Sequence, residues 1–419
     1  MDNFIKVKNV EVQKGRIDIR FDISSNLKSY FKQTTFWYEM ESIEMVPQSI
    51  SVIPFVCNVL PVVWLTDCSL VLDSLDQVFY QCIDDIKLGY AAMYPMLDFK
   101  GKVVCDRLEN NEYKASHSVV MFSGGIDAIC TTIRHLPENP LLLSIWGSAD
   151  FPINATDSWH KQWDNLQYNA GKMELDCYCI KSNFCGIFNL WSPGLMDLIR
   201  DSGETWWHGF QHGIGILSHS APFCYVHKCR MSYIASSYHE SQRPFTCASD
   251  PTIDSKMKFA STDCFHDAFE LTRQNKVALI VEYAKKHSVK FNIHVCLRQN
   301  QQDNNCCKCE KCYRTILELL LEGAEPNCFG FDNYNLNNVI EDIQYKMYIP
   351  FTAIPFYKDM QNIIKSNSYM GGDNERLRLI KWLENTDFDI INNNAKKKVY
   401  LLIKRTQGKI IRMFSLFKS

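Results

Sequence analysis

Residues 123–127 have the composition of a phosphate-binding turn. They are, in order, Ser123, Gly124, Gly125, Ile126 and Asp127. Two glycines let the main chain approach phosphate oxygens without Cβ atoms in the way, and the serine hydroxyl can donate a hydrogen bond. The aspartate can hold Mg²⁺ or brace the turn. A plain Gly-Gly turn is the alternative, but the apolar run over 118–122 favours a nucleotide site between a strand and a helix.

A second segment has the spacing of a zinc site. Cys296, Cys306, Cys309 and Cys312 form the pattern Cys-x9-Cys-x2-Cys-x2-Cys. Four thiolates suit tetrahedral Zn²⁺ and leave no coordination position open, so we expect a structural role. Cys307 is a fifth thiol that competes as a ligand, and a set of unligated buried cysteines is the alternative.

Strands and helices alternate around the glycine turn. Strands are predicted over 118–122, 140–146 and 176–180, with helices over 128–135 and 156–170. This alternation predicts an α/β fold in which a parallel sheet has helices on both faces.

The residues before this region predict an additional N-terminal α+β module. Four strand-like runs are expected, over 9–13, 16–21, 35–39 and 48–56. Lys14 and Gly15 indicate a hairpin turn between the first two, and apolar residues at steps of three and four predict a helix over 74–88.

The chain therefore divides into three predicted domains. Residues 1–113 form the N-terminal module of unknown role, 114–330 hold both motifs, and 331–419 form a helical extension with a basic tail. From Lys396 onwards there are eight Lys or Arg and no acidic residue. We expect a docked terminal helix with a solvated basic side; a helix facing a membrane surface or RNA is the alternative.

The glycine turn resembles the Ser-Gly-Gly-x-Asp-Ser loop of the N-type ATP pyrophosphatase (PP-loop) family. The resemblance implies the adenine nucleotide alpha hydrolase-like fold. Members cleave ATP between its α- and β-phosphates, adenylate a carbonyl or carboxylate, and let a nucleophile displace AMP. Ala128 stands at the position of the family's final serine, so one hydroxyl contact to pyrophosphate is missing.

Residues 118–330 further resemble the 7-cyano-7-deazaguanine synthases, which carry the same cysteine cluster near their C-terminal end. Residues 271–281 look similar to that family's Leu-Thr-Lys-x-x-Ile-Val helix, which is followed by a strand into the first cysteine. Residues 253–259 resemble its Pro-Asp-Cys-Arg-Pro-Glu-Phe segment, with Ser255 and Lys256 replacing Cys and Arg. Residues 202–205 replace a Pro-Gly-Arg-Asn type motif, which leaves the deazapurine substrate open.

The resemblance implies an ATP-dependent carbon–nitrogen ligase. It would adenylate a carboxylate or carbonyl of a small molecule or modified base, release pyrophosphate, and substitute with a nitrogen nucleophile. Free ammonia or a partner would supply the nitrogen, and the implied cofactors are ATP, Mg²⁺ and Zn²⁺. Two alternatives stay open: a tRNA thiolation enzyme on the same fold, and a catalytically degenerate nucleotide-binding protein of a defence or modification pathway.

Several further side chains are candidates for the nucleotide or substrate site. Trp146, at the end of the second strand, would flank adenine, and Lys276 would balance pyrophosphate charge. A core tryptophan and a solvated helix lysine are the respective alternatives. Asp254 and Lys256 would orient a polar substrate unless they form an exposed loop pair. Ser237 follows a strand-like run, where parallel sheets bind ligands.

A helix predicted over 205–220 carries three histidines on one face. His208, His212 and His219 share this face with Glu204 and Gly215, at spacings of three and four. His208 and His212 are therefore candidates for substrate binding or proton transfer. A buried polar stripe with satisfied hydrogen bonds is the alternative.

Composition limits the class of protein only loosely. The 419 residues are 46% hydrophobic and 22% charged, and the net charge of -2 gives no overall attraction to nucleic acid or membrane. Eighteen cysteines without a recognisable signal peptide predict reduced thiols in a cytoplasmic protein. The most apolar stretch, 51–65, is too short and too broken by proline to span a bilayer. A homodimer and a protein partner for the N-terminal module stay open, and nucleic acid is the less favoured partner.

Overall fold

The computed structural model describes residues 3–242, 245–296, 304–366 and 374–416. Contacts along the chain group it into two compact units, Met1–Glu270 and Leu271–Ser419. Each unit is described by itself. Residues 417–419 of the predicted basic tail, and its side chains from 408 onwards, lie outside the described residues.

An eleven-stranded sheet forms the centre of the first unit. Its strands in chain order are β1 (Phe4–Gln13), β2 (Arg16–Ile23), β3 (Thr35–Glu39), β4 (Ser69–Asp76), β5 (Lys102–Glu109), β6 (His117–Met121), β7 (Leu141–Trp146), β8 (Cys177–Ser182), β9 (Cys229–Ala235), β10 (Lys258–Phe259) and β11 (Thr262–Asp267). Across the sheet they lie in the order β10-β11-β9-β6-β7-β8-β3-β2-β1-β4-β5.

Five neighbouring strands, β8-β7-β6-β9-β11, run parallel to one another. Numbered by their order in the chain they lie as 3-2-1-4-5, which is a doubly wound arrangement. Residues 118–121 of β6 are buried throughout, as expected for a strand covered on both faces. The predicted α/β fold with a mostly parallel sheet flanked by helices is therefore confirmed.

Nine α-helices of the described residues belong to the first unit. They are α1 (Gln48–Ser51), α2 (Ile53–Leu65), α3 (Gln77–Met93), α4 (Ile126–Arg134), α5 (Thr156–Lys172), α6 (Pro193–Leu198), α7 (His212–Leu217), α8 (Ser220–His227) and α9 (Pro251–Asp254). A π-helical turn, Trp207–Gln211, directly precedes α7. Short 3-10 turns cover Ser25–Tyr30, Ile43–Met45, Leu136–Glu138, Phe184–Gly186, Arg200–Ser202 and Glu240–Gln242.

One predicted strand is a helix in the structure. Residues 48–56 fall in α1 and the start of α2, and every residue from Ile53 to Val63 is buried. A helix surrounded by core is apolar on all sides, so it shows neither helical nor strand periodicity. Its many β-branched residues then give it the composition of a strand.

The first five strands extend the sheet of the parallel strands. The hairpin predicted at Gly15 is present, with φ of +76° at that residue and antiparallel pairing of β1 with β2. Strand β3 joins β8 through the pairs Tyr38–Ser182 and Glu39–Lys181. The first five strands and the parallel strands also share one hydrophobic core. The boundaries predicted at 113 and 330 thus do not coincide with the observed units, and separate folding of those segments stays a prediction.

The second unit is helical in the described residues. It contains α10 (Arg273–His287), α11 (Glu310–Leu321), α12 (Leu336–Tyr345), α13 (Ile354–Ser366), α14 (Asn374–Asn385) and α15 (Ala395–Leu416), with 3-10 turns at Pro326–Phe329 and Ile391–Asn393. A capping box between Thr272 and Asn275 begins α10. Residues 289–296, before the cysteine cluster, form no strand. None of the described helices has the length and apolar character needed to cross a membrane.

Candidate functional site

The glycine turn lies between β6 and α4, where the order of the parallel strands reverses. Phe122 N donates to Leu143 O at 2.8 Å, which keeps the turn in register with β7. Gly124 adopts a left-handed conformation with φ of +74°. A Cβ on this residue would lie 2.9 Å from Cδ2 of Leu166. The turn therefore requires glycine at this position, both for its backbone conformation and for its packing.

The start of α4 has no side-chain cap on its first main-chain amides. Gly125 is the N-cap residue and has no side chain to occupy the first amides of the helix. Ser123 is exposed beside it, and its carbonyl accepts a hydrogen bond from Gln162 Nε2 at 2.9 Å. Asp127 is half-buried in the first turn of α4. These groups can bind a phosphate through main-chain amides, a hydroxyl and a carboxylate-held cation.

Asp267, at the end of β11, fixes α4 in place. It accepts a hydrogen bond from Thr131 Oγ1 at 2.9 Å, and it pairs with Arg134 Nε at 3.1 Å and His135 Nε2 at 3.2 Å. Burial alone would raise the pKa of Asp267, but these bonds outweigh it and lower the pKa. The carboxylate therefore stays charged and holds the C-terminal end of α4 against β11, at the opposite end of the helix from the glycine turn.

Ala128 and Trp146 lie next to the turn, at the start of α4 and at the end of β7. Ala128 is buried, so its methyl group packs in the core where the family has a hydroxyl. The Trp146 indole stacks on Trp159 at a centroid distance of 5.5 Å, and Lys181 Nζ lies 4.5 Å from its centroid. Trp146 is thus already engaged by two side chains, and its contact with adenine stays a prediction.

Ser236 and Ser237 follow β9 at the same edge of the sheet. Ser236 is buried, and its amide donates to Asp267 O at 2.9 Å. Ser237 is exposed. Because β9 is the neighbour of β6, Ser237 lies beyond a strand end next to that of the glycine turn.

His208 and His212 come together around a cysteine that the sequence pattern does not indicate. Cys247 Sγ lies 3.5 Å from Nδ1 of His212. The Nδ1 of His208 lies 2.8 Å from the Glu204 carboxylate, and its Nε2 lies 3.2 Å from the Tyr238 hydroxyl. Cys247 is one of 18 cysteines and is 35 positions from His212, so no spacing pattern could have indicated it.

His219 does not share this cluster. It is fully buried, with Nδ1 at 2.7 Å from Gly215 O and Nε2 at 2.9 Å from Ser182 Oγ. Burial lowers the pKa of His219 to about 4, against the effect of its backbone hydrogen bonds. It is a neutral core histidine, so the predicted stripe divides into a buried residue and two residues near Cys247.

Asp254 and Lys256 lie in different environments. Asp254 is fully buried, and its Oδ2 lies 2.8 Å from both Ser249 Oγ and His266 Nδ1. Lys256 is exposed. The two residues therefore form neither an exposed pair nor a single binding group. Lys276 is buried in α10 of the second unit and is not a solvated lysine; its role toward pyrophosphate stays a prediction.

The four predicted zinc ligands lie together in the second unit. The Sγ atoms of Cys296, Cys306, Cys309 and Cys312 are all within 4.8 Å of one another. Cys309 is the N-cap residue of α11, and its Sγ lies 3.4 Å from that of Cys312 in the first turn. Tetrahedral Zn–S bonds of about 2.3 Å place sulfurs about 3.8 Å apart, so this cluster fits a metal such as zinc. Cys307 is outside the group.

The thiols of this cluster cannot all ionise without a cation. The bond with Cys296 raises the pKa of Cys306, but bonds with Cys309 and Cys312 outweigh it and bring the pKa to about 6. The pKa of Cys309 is raised, first by its bond with Cys296 and then by Cys306. One thiolate is therefore favoured at the expense of the others, and a divalent metal would remove this competition.

Comparison of the chain with protein-family models, with curated proteins and with solved structures found no match. The resemblance to the ATP pyrophosphatases therefore depends on the residues of the turn and of the cysteine cluster, and it stays a prediction.

Proposed function

We propose that the protein is an ATP-dependent carbon–nitrogen ligase of the PP-loop type, resembling 7-cyano-7-deazaguanine synthase. It adenylates a carboxylate or carbonyl, releases pyrophosphate, and passes the activated carbon to a nitrogen nucleophile. The observation that supports this most is the left-handed glycine turn before α4, at the point where the order of the parallel strands reverses. Doubly wound sheets bind nucleotides at such a point.

The residues of the turn have complementary roles in this proposal. Amides at the start of α4 and the Ser123 hydroxyl hold the phosphate chain of ATP. Asp127 holds the Mg²⁺ that accompanies the nucleotide, which supplies charge neutralisation for the pyrophosphate leaving group. Gly124 lets the main chain approach the phosphates because it has no Cβ. It also preserves the packing of the turn, since a Cβ there would meet Leu166.

The cysteine cluster has a separate, structural role. We assign Zn²⁺ to Cys296, Cys306, Cys309 and Cys312, because four thiolates leave no coordination position for a substrate. The metal would join the start of α11 to the residues around Cys296 and Cys306.

The identity of the ATP products tests this proposal. Protein supplied with ATP, Mg²⁺, ammonia and a panel of carboxylic acids should give AMP and pyrophosphate with at least one acid. Asp127→Asn should abolish this turnover because it removes the cation ligand. Asp157→Asn is the matched control, since Asp157 is an exposed aspartate in the first turn of α5. Formation of ADP and phosphate, or unchanged turnover in Asp127→Asn, would contradict the proposal.

A further inference from the structure

Cys247 lines a cleft between the loop after β9 and the end of β11. The cleft is formed mainly by Tyr238, Gln242, Phe245, Cys247, Ser249 and Phe269. Only 4% of Cys247 is exposed. Tyr238, Phe245 and Phe269 give the cleft aromatic walls, and its free volume of about 10 Å³ holds about one water-sized group.

The sulfur atom is held by several neighbours. His212 Nδ1 lies 3.5 Å away, and the amide of Ser249 donates to the sulfur at 3.4 Å. The amide of Ala248 donates to His208 O at 2.8 Å, which fixes the loop against the π-helical turn. A Cβ on Gly213 would lie only 2.6 Å from Ala248 O, so α7 packs directly on this loop. The thiol is therefore positioned by main-chain contacts.

Charge around the sulfur favours its ionised form. Burial opposes ionisation, but the contacts with His208 and His212 outweigh it and lower the pKa of Cys247 to about 6. The contact with Cys247, followed by that with Glu204, raises the pKa of His208 to about 10. Burial would lower the pKa of His212, yet the thiolate raises it. At neutral pH a thiolate and an imidazolium are the favoured pair.

Other titratable groups also face this sulfur. From the packed elements around it they are Tyr90 and Tyr94 of α3, and Tyr238, His239 and Asp250 of the loop. Burial raises the pKa of both Tyr90 and Tyr94, so they stay neutral where the thiol ionises. His208 and His212 therefore control the charge state of Cys247.

We propose that Cys247 is the nucleophile of a covalent acyl-transfer site, with His208 and His212 as its cationic partners and Glu204 orienting His208. Its substrate class is an activated acyl carbon, as in an ester, a thioester or an acyl adenylate. The sulfur attacks the carbonyl carbon and a C–S bond forms, while the bond from that carbon to the leaving oxygen or sulfur breaks with its electron pair. The imidazolium gives its proton to the leaving group or to water. Ammonia or water then attacks the thioester, the neutral imidazole takes the proton of this nucleophile, and the C–S bond breaks to regenerate the thiolate.

This site goes beyond the proposed ligase, since its chemistry needs no ATP. One acyl donor would be an acyl adenylate formed at the glycine turn. That turn follows β6, and the loop that carries Cys247 follows β9, the neighbour of β6 in the sheet. The test therefore uses p-nitrophenyl acetate and iodoacetamide without nucleotide, so a failure of ATP binding would leave its outcome unaffected.

Cys177 and Cys179 of β8 provide internal controls in the wild-type protein. Both are more exposed than Cys247, but burial raises their pKa values to about 12. Peptide mass spectrometry should show Cys247 alkylated by iodoacetamide roughly 100-fold faster than either at neutral pH. As the pH is lowered, the rate of Cys247 alkylation should fall with a midpoint near pH 6, because the thiolate is protonated around its pKa. If accessibility alone controlled the reaction, Cys177 and Cys179 would react first.

The acyl probe gives the second measurement. p-Nitrophenyl acetate should place one acetyl group on Cys247 and release p-nitrophenolate, and Cys247→Ala should lose this adduct. His212→Asn and Glu204→Gln should move the alkylation midpoint to higher pH without removing the thiol. A Cys247 that stays unmodified, or that reacts no faster than Cys177 and Cys179, would overturn the proposal.

Discussion

Gly124 is the residue on which the proposed nucleotide site depends most directly. Its φ of +74° and its contact with Leu166 both exclude a side chain. In the proposed nucleotide site this turn also supplies the amides that would hold the phosphates. A side chain at Gly124 should therefore affect both stability and ligand binding.

Gly124→Ala should lower the free energy of unfolding by about 1–2 kcal/mol, because a left-handed alanine is strained and its Cβ meets Leu166. It should also weaken ATP binding by at least roughly tenfold, since the amides must move. Urea denaturation and calorimetry measure the two effects. Gly171→Ala in α5 is the control, because nothing lies within 4 Å of its added Cβ. Equal behaviour of the two variants would show that the turn tolerates a side chain.

The residues of the glycine turn could be predicted because their signal is local. An apolar run, two glycines and an aspartate are adjacent in the sequence, and the strand and helix around them follow directly. Cys247 could not be predicted, because its partner His212 is 35 positions away and α7, α8 and β9 lie between them in the chain. Only the folded chain brings the thiol to the histidines.

At the scale of elements, His219 connects the junction of α7 and α8 to the sheet. Its ring bonds to Gly215 O and to Ser182 of β8, and it packs against Phe36 of β3 at a centroid distance of 6.1 Å. A neutral imidazole is required in this environment, since burial lowers its pKa to about 4.

Acidification should therefore weaken the fold through His219. The unfolded residue takes up a proton below its ordinary pKa of 6.5, whereas the folded residue does so only near 4. Between these values the unfolded state binds more protons, so the free energy of unfolding falls as the pH falls, by roughly 3 kcal/mol in total. Urea denaturation across this range should give a steeper pH slope for the wild type than for His219→Gln. Parallel slopes would contradict the assignment.

The start of α11 should depend on bound metal. Cys312→Ser removes one of four clustered thiols, so metal analysis should show loss of zinc, and amides in the first turn of α11 should exchange faster with deuterium. Cys307→Ser is the matched control, because Cys307 is in the same turn but outside the cluster. Retention of zinc by Cys312→Ser, or its loss from Cys307→Ser, would contradict the ligand assignment.

Elements with one exposed face were the most predictable. In β1 and β2 apolar and polar residues alternate, and in α3 the apolar residues form a stripe. Both patterns are visible in the sequence because one side of each element meets solvent. Residues 48–56, which form α1 and the start of α2, were predicted as a strand, since α2 is buried on every side and has no polar face to reveal its period. Burial on all sides removes the signal that distinguishes the two structures.

At the scale of the whole molecule, the N-terminal 113 residues are part of the first unit's sheet and core. Strand β3 covers the edge of β8, and aromatic side chains from both parts pack together, as Phe36 does with His219. A chain that begins at residue 114 should therefore expose the β8 edge and a large apolar face.

Such a truncated chain should aggregate or lose cooperative unfolding. Size-exclusion chromatography and thermal unfolding followed by circular dichroism measure this against the full chain. A monomeric 114–419 fragment with a sharp transition would instead support the predicted independent module. The sequence could not decide this point, because strand pairing between distant segments leaves no local pattern.

The central claim is that main-chain amides at residues 123–127 hold the phosphates of ATP. Isothermal titration of ATP with Mg²⁺ into the full-length protein tests it most directly. We expect saturable binding at one site in the wild type and strongly weakened binding in Gly124→Ala that is still folded by circular dichroism. No binding of ATP or AMP to the wild type, or equal binding to both proteins, would contradict the claim.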